Sequence, residues 1–299
     1  MPTKSEQVRA ARESVLLVSA PDLAVFVVTG GDRASWLNGL VTCDVAKLEP
    51  GVAGYGLAVT QKGRISSDLF VIKGGDAITV VLPARARDAV MEAFDRYLVM
   101  EDVEMTRDDA SRVWLAHGPE ARKLGGYACD PTGLGGALFV GGPDEEARLA
   151  REVARLGGVV GDASGWDALR LERGVPAFGV DFDDKTYPQE ASLEKRAVSF
   201  DKGCYLGQEV VCMLEMRGHV KRKLVPFVAD GAVAPGASVT DPAGVEVGKV
   251  SSSGASPTLG RTVGLAMLKL AQAVAGTELR AGEASVRVVD VPVRDGGPT

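Results

Sequence analysis

From Ala24 to Val28 every position is apolar and most are β-branched, and Gly30-Gly31-Asp32 follows directly. This predicts a strand ending in a tight turn, with Asp32 capping a short helix that directs Ala34, Leu37 and Leu40 inward. Tyr55 to Ile72 reads as two strands broken at Gln61-Lys62-Gly63, and Ala77 to Leu82 as another, so an antiparallel sheet is expected. Ala89, Val90, Ala93, Phe94, Tyr97 and Leu98 recur at three- and four-residue spacing and define one helical stripe. Val113 to Ala116 and Leu138 to Val140 predict further strands. Pro143 to Leu156 predicts a helix with proline in its first turn and Gly157-Gly158 at its end. A second helix is expected from Ser164, where Asp167 three residues on completes a capping box, to Gly174, with Pro176 beyond.

At Leu224 the pattern changes to short strands separated by Gly, Pro and Asp, relieved only by a brief helical stretch near Met267 to Ala271. The shift predicts an α+β body over residues 1–220, with two interleaved subdomains meeting somewhere in 75–160, and a β-barrel domain over 221–299. A chain of 299 residues is long enough for such a division. Its net charge of −6 argues against a nucleic acid as main partner. No run of about 18 apolar residues suggests a membrane span, and the first residues lack the pattern of a secretory signal, so a cytoplasmic protein is expected. Cys43, Cys129, Cys204 and Cys212 have no CxxC spacing, which fits a reducing compartment and signals neither a disulfide framework nor a zinc site. With His117 and His219 the only histidines, a histidine-rich metal site is excluded.

Ser199 to Met213, SFDKGCYLGQEVVCM, holds a glycine-flanked cysteine just before a helix expected to start near Gly207. Backbone N–H groups at that helix start, together with Lys202, would favour the thiolate of Cys204. The plainer reading of any one cysteine is burial in a core, and Cys43, Cys129 and Cys212 keep it. Arg217, His219, Lys221, Arg222 and Lys223 form a basic cluster, suited either to an acidic ligand or simply to a linker into the barrel. Gly244 to Val250 resembles a phosphate-binding loop but has three residues where four are needed between the glycines. No GxGxxG signals a nicotinamide cofactor.

The run Lys202, Gly203, Cys204, Tyr205, Leu206, Gly207, Gln208, Glu209 resembles the KGCYxGQE signature of the YgfZ family. TGGDRASWLNGLVTCDV, TQKGRISSDLFV, WDALRLERGVPAFGVDFDDKTYPQEASL, RGHVKRKLV and GKVSSSGASPTLGRTVGLAML resemble that family's other blocks, which glycine-cleavage T-proteins (aminomethyltransferases) share. The resemblance implies a T-protein-like body with antiparallel sheets and packed helices, a tetrahydrofolate cavity, and a role in iron–sulfur cluster assembly or repair, as in related mitochondrial assembly factors. It implies Trp166, Glu190 and Arg217 as folate-contacting residues, Leu23 where some relatives carry a folate-contacting Trp, and Cys204 as a functional thiol on the cavity rim facing iron–sulfur partners. It also implies that Ser67 stands in for the catalytic Asp of the T-protein DDL block, which weighs against the alternative of a tetrahydrofolate-dependent one-carbon transferase.

Overall fold

A computed structural model describes residues 2–291 apart from His219, which lies outside the described residues. In chain order it forms α1 (Lys4–Glu13), β1 (Leu16–Ser19), β2 (Leu23–Thr29), α2 (Arg33–Asn38), β3 (Ala53–Val59), β4 (Ile65–Lys73), β5 (Ile78–Pro83), α3 (Ala84–Asp95) and β6 (Glu104–Asp108). Then come β7 (Arg112–His117), β8 (Tyr127–Ala128), β9 (Gly136–Gly141), α4 (Asp144–Arg155), β10 (Val159–Val160), α5 (Ala163–Glu172), α6 (Glu194–Ala197) and α7 (Gln208–Arg217). The last strands are β11 (Arg222–Ala229), β12 (Ser238–Thr240), β13 (Glu246–Ala255), β14 (Thr262–Lys269), β15 (Glu278–Ala281) and β16 (Ala284–Val288).

Two sheets build the body. One has the order β3-β4-β5-β2-β6 and is antiparallel throughout; the other is β10-β1-β7-β9-β8. The second departs from the antiparallel expectation at one edge, where β1 pairs parallel with β10. The first sheet packs one face on α2 and α3 through Phe26, Leu37, Leu69, Val80, Val90 and Phe94. Its other face meets the second sheet through Val25, Ile72 and Val81 against Val113, Leu115 and Leu138. Each sheet thus buries both faces, one on helices and one on its neighbour, as layered domains must. The six barrel strands close in the order β11-β14-β13-β12-β15-β16 around Phe227, Val239, Val250 and Val286.

Several local expectations change. Asp32 precedes α2 but makes no side-chain cap; its carboxylate accepts instead from Asp102 N at 2.9 Å. The cap of α5 is Asp162, which accepts from Ser164 N and Gly165 N, while Asp167 is drawn off to Arg170 Nε at 2.7 Å. Pro143 sits one residue before α4. Met267 to Lys269 completes β14, and only a single 3-10 turn follows at Leu270–Gln272, because the barrel ladder claims those backbone groups. Among the described residues no helix is long and apolar enough to cross a membrane.

Candidate functional site

A cavity of about 970 Å³ opens where the two sheets diverge, closed by the start of α5 and the loop Val175–Phe178. This is the upper end of the range for small-molecule sites. On the first sheet it is lined by Tyr55, Asp68 and Phe70, on the second by Leu115, and from α5 by Trp166 and Arg170.

The register of the β3–β4 hairpin decides which side chains reach the cavity. Tyr55 pairs with Phe70 and Ala58 with Ser67, with an irregularity at Ser66 where the ladder shifts. Side chains alternate across a strand, so Ser67 joins Leu69 on the helix-packed face and Asp68 joins Phe70 on the cavity face. Ser67 is fully buried and donates to the Asp68 carbonyl at 2.8 Å. The group missing at Ser67 is therefore no measure of the cavity, which has its carboxylate one residue later. Asp68 Oδ2 accepts from the Tyr55 hydroxyl at 3.0 Å, and Asp68 Oδ1, buried, has no protein partner. Burial pushes this carboxyl up to about 6, against the opposing pull of the Tyr55 hydroxyl, the backbone and Arg85. Desolvation and the neighbouring carboxylate together push the Tyr55 phenol well up.

Trp166 stands in the first turn of α5 and lines the cavity. Its indole stacks on His117 with centroids 4.5 Å apart and planes 8° from parallel. His117 is fully buried, and burial lowers its imidazole to about 4, so a neutral ring backs the indole. The helix is held close to α1 because Gly165 has no side chain: a Cβ there would lie 1.8 Å from Gln7 Oε1. Leu23 also lines the cavity, at the start of β2.

Glu190 and Arg217 do not line the cavity. Glu190 accepts from Arg222 Nε at 3.0 Å and Tyr187 N at 3.1 Å, which ties the body loop to the first barrel strand. Arg217 is exposed at the end of α7. The cations that do line the cavity are Arg85, Arg170 and Arg196. Arg170 is committed to Asp181 and Asp167, whereas Arg85 and Arg196 are exposed; among the described residues they donate to the backbone carbonyls of Phe178 and Pro131, and Arg85 also lies over the Phe178 ring. These two, and Tyr55, went unnoticed in the sequence because each stands in an unremarkable context; the hairpin register was the signal available for Tyr55.

The KGCYLGQE segment lies elsewhere. Cys204 is exposed and is not part of the cavity lining. It precedes α7 by a turn, at whose end Gly207 adopts φ 75°; a Cβ at Gly207 would lie 2.4 Å from the Thr60 carbonyl. Lys202 does not face the thiol. It is buried and its ammonium donates to the carbonyls of Asn38 (2.6 Å), Val41 (2.7 Å) and Cys43 (2.7 Å). Burial lowers it to about 8, with Cys43 and Asp44 pulling the other way. Ser199 N and Leu206 N donate to Thr42 O and Gly39 O, so the whole segment is laced to the α2–β3 connection. Tyr205 is buried against Leu57 and Ile65, and Gln208 Oε1 accepts from Tyr205 N at 3.3 Å. Gly203 and Glu209 are exposed. Cys43 and Cys129 are buried, and burial pushes their thiols up to about 11 and about 12.

Comparison with known proteins places this geometry in a lineage. The GCVT N-terminal domain family matches residues 2–131, and the glycine cleavage T-protein C-terminal barrel domain matches residues 222–295. An aminomethyltransferase of Rubrobacter xylanophilus is 28% identical, covering 89% of this chain and 80% of its own length. A tRNA-modifying protein YgfZ of Enterobacter sp. strain 638 is also 28% identical, covering 77% of each chain. The crystal structure of the glycine cleavage system aminomethyltransferase T from Bartonella henselae superposes with a TM-score of 0.83 over 97% of this chain and 89% of that one; at 18% identity this shows a shared fold. With both domains matched in order and YgfZ proteins and aminomethyltransferases alike among its relatives, the chain belongs to the glycine-cleavage T-protein superfamily.

Proposed function

We propose that the cavity binds a reduced folate and that the protein serves iron–sulfur cluster assembly or repair as a YgfZ-type accessory factor. The observation that carries the ligand is the unpartnered, buried oxygen of Asp68 in a cavity that Phe70, Leu115 and Trp166 also line. Such an oxygen awaits a donor, and the amino-pyrimidinone edge of a pterin offers two side by side. Trp166 and Phe70 supply ring contacts, and Arg85 and Arg196, exposed in the lining, suit the acidic glutamate tail. The iron–sulfur role rests on the family resemblance of KGCYLGQE and on an exposed Cys204. Relatives named as tRNA-modifying fit a factor that supports modifying enzymes, since this acidic chain lacks the charge for RNA itself.

A second reading has a specific observation in its favour. A carboxylate facing the cavity, with a pKa near neutrality, could handle a proton in one-carbon transfer, so Ser67 no longer counts against a tetrahydrofolate-dependent transferase. Calorimetric titration with tetrahydrofolate, in mono- and triglutamate forms, tests the ligand: saturable heat with wild type and its loss in Asp68→Asn is the expected result, and no heat with wild type refutes it. Formaldehyde release from aminomethyl donors then separates the readings, since turnover abolished by Asp68→Asn supports the transferase and its absence supports the accessory factor.

A further inference from the structure

A smaller notch of about 300 Å³ opens on the far side of the first sheet from the folate cavity. Its floor is Val90, Ala93 and Phe94 of α3 together with Leu206, and its rim carries Lys62 and Arg96. The wall formed by the β3–β4 turn is fixed to the helix end, where Gln61 Nε2 donates to the Tyr97 hydroxyl at 3.3 Å. The notch thus sets an apolar floor beneath a rim that carries two cations.

The charges select the occupant. Among the described residues no carboxylate pairs with Lys62, and Arg96 pairs only with Glu92, one turn away, in an exposed ion pair that another carboxylate can replace at little cost. Asp95 is the other acid of this helix end, and Glu101 is already engaged by the backbone. The chain as a whole carries −6, so a cationic rim works against the global field and acts locally, within a Debye length of about 8 Å. Leu206 is two residues from Cys204, which places the thiol's Cα within about 8 Å of that of the floor residue. Leu206 itself is pinned by its N–H to Gly39 O at 2.9 Å.

We propose that this notch docks an apolar side chain from an acidic peptide segment of a partner protein, and that docking brings the flanking partner residues to Cys204. The assignment draws on the notch alone and requires nothing of the folate cavity.

A fluorescein-labelled pentapeptide with one Phe flanked by Asp pairs is the probe, titrated against the full chain by anisotropy at low salt. It should bind more tightly than the same peptide with Ser for Phe, and more tightly than one with Lys for Asp, despite the protein's overall negative charge. Lys62→Glu on the exposed turn should weaken it at least about threefold. Ala93→Trp, which fills the floor, should abolish binding while melting normally; should that variant misfold, Lys62→Glu carries the test. Bound peptide should also slow maleimide labelling of Cys204 in wild type. Equal affinity for the three peptides, or indifference to Lys62→Glu, overturns the proposal. So does phenylpropionate binding as well as the peptide, which would mark a small-molecule site. A concentration-dependent dimer abolished by Ala93→Trp would give the notch to a second copy of the chain and overturn it likewise.

Discussion

Asp68 in the cavity, with its Oδ1 buried, and the buried Asp181 at the body–barrel seam are treated in opposite ways. Asp181 is saturated: Oδ2 accepts from Arg170 Nη1 and Ala177 N, both at 2.9 Å, and Oδ1 from Ser251 at 2.6 Å and Ser252 at 2.5 Å. Glu172, nearby in the same seam, accepts from Arg12, Ser256 and twice from Thr258. Burial alone would raise Glu172, but those bonds together outweigh it and hold the carboxyl below its ordinary value. Asp68 has one protein donor and one idle oxygen, and is raised. A saturated buried charge fastens two parts of a molecule, whereas an unsaturated one is held at a cost that a ligand can relieve.

The sharpest way to break this contrast is to remove the saturated member. Asp181→Ala leaves buried Arg170 with only the exposed Asp167 as counter-charge and should cost about 3–5 kcal/mol in urea unfolding. A cost below about 1 kcal/mol would mean the seam is held by its apolar contacts alone. Asp68→Asn should do the reverse and stabilise the protein. With a folded pKa of about 6 against an unfolded value of 3.8, the folded state binds a proton more readily, so stability falls as pH rises through that window. The Asn variant should therefore gain up to about 3 kcal/mol near neutral pH, a gain that fades away only as pH falls below 3.8 and is accompanied by loss of folate binding. Melting curves across pH, paired with titrations, check both halves.

Trp166→Ala should weaken the ligand by more than about 1.5 kcal/mol, because it removes the aromatic wall and leaves His117 without its stacked partner. An unchanged dissociation constant would assign Trp166 to packing. The smallest effect is expected at Cys204→Ser, within about 0.5 kcal/mol of wild-type stability, since the side chain is exposed. Its thiol should be alkylated ahead of buried Cys43 and Cys129, and failure of the Ser variant to restore iron–sulfur enzyme activity in deficient cells would sharpen the functional assignment.

Alternation and turn residues made β2 to β5, β7, β9 and the barrel readable in advance, because each strand's pattern is local. The stretch Lys4 to Ser19 was silent: α1 buries small or polar residues such as Gln7, Ala10 and Ala11, and β1 is too short to declare a period. The cavity carboxylate was within reach, since Asp68 alternates with Leu69 and Val71 while Ser67 shares their face. Reading the position by motif alone obscured it. Where the ammonium of Lys202 points was beyond any local pattern, because its three carbonyls lie some 160 residues earlier in the chain. The same holds for Glu190, whose partner Arg222 is set by the docking of the barrel.

The parallel pairing of Leu16 with Val159 and the crossing of α1 with α5 have a consequence in time. Leu16, Leu17 and Val18 are wholly buried in the finished protein, yet their edge partner is made only after most of the body has left the ribosome. At ordinary synthesis rates the first strand waits on the order of ten seconds for it, with its other neighbour β7 arriving only somewhat sooner. Nascent β1 is therefore open to misassociation during that wait, whereas the barrel, whose strands pair among themselves, does not depend on it.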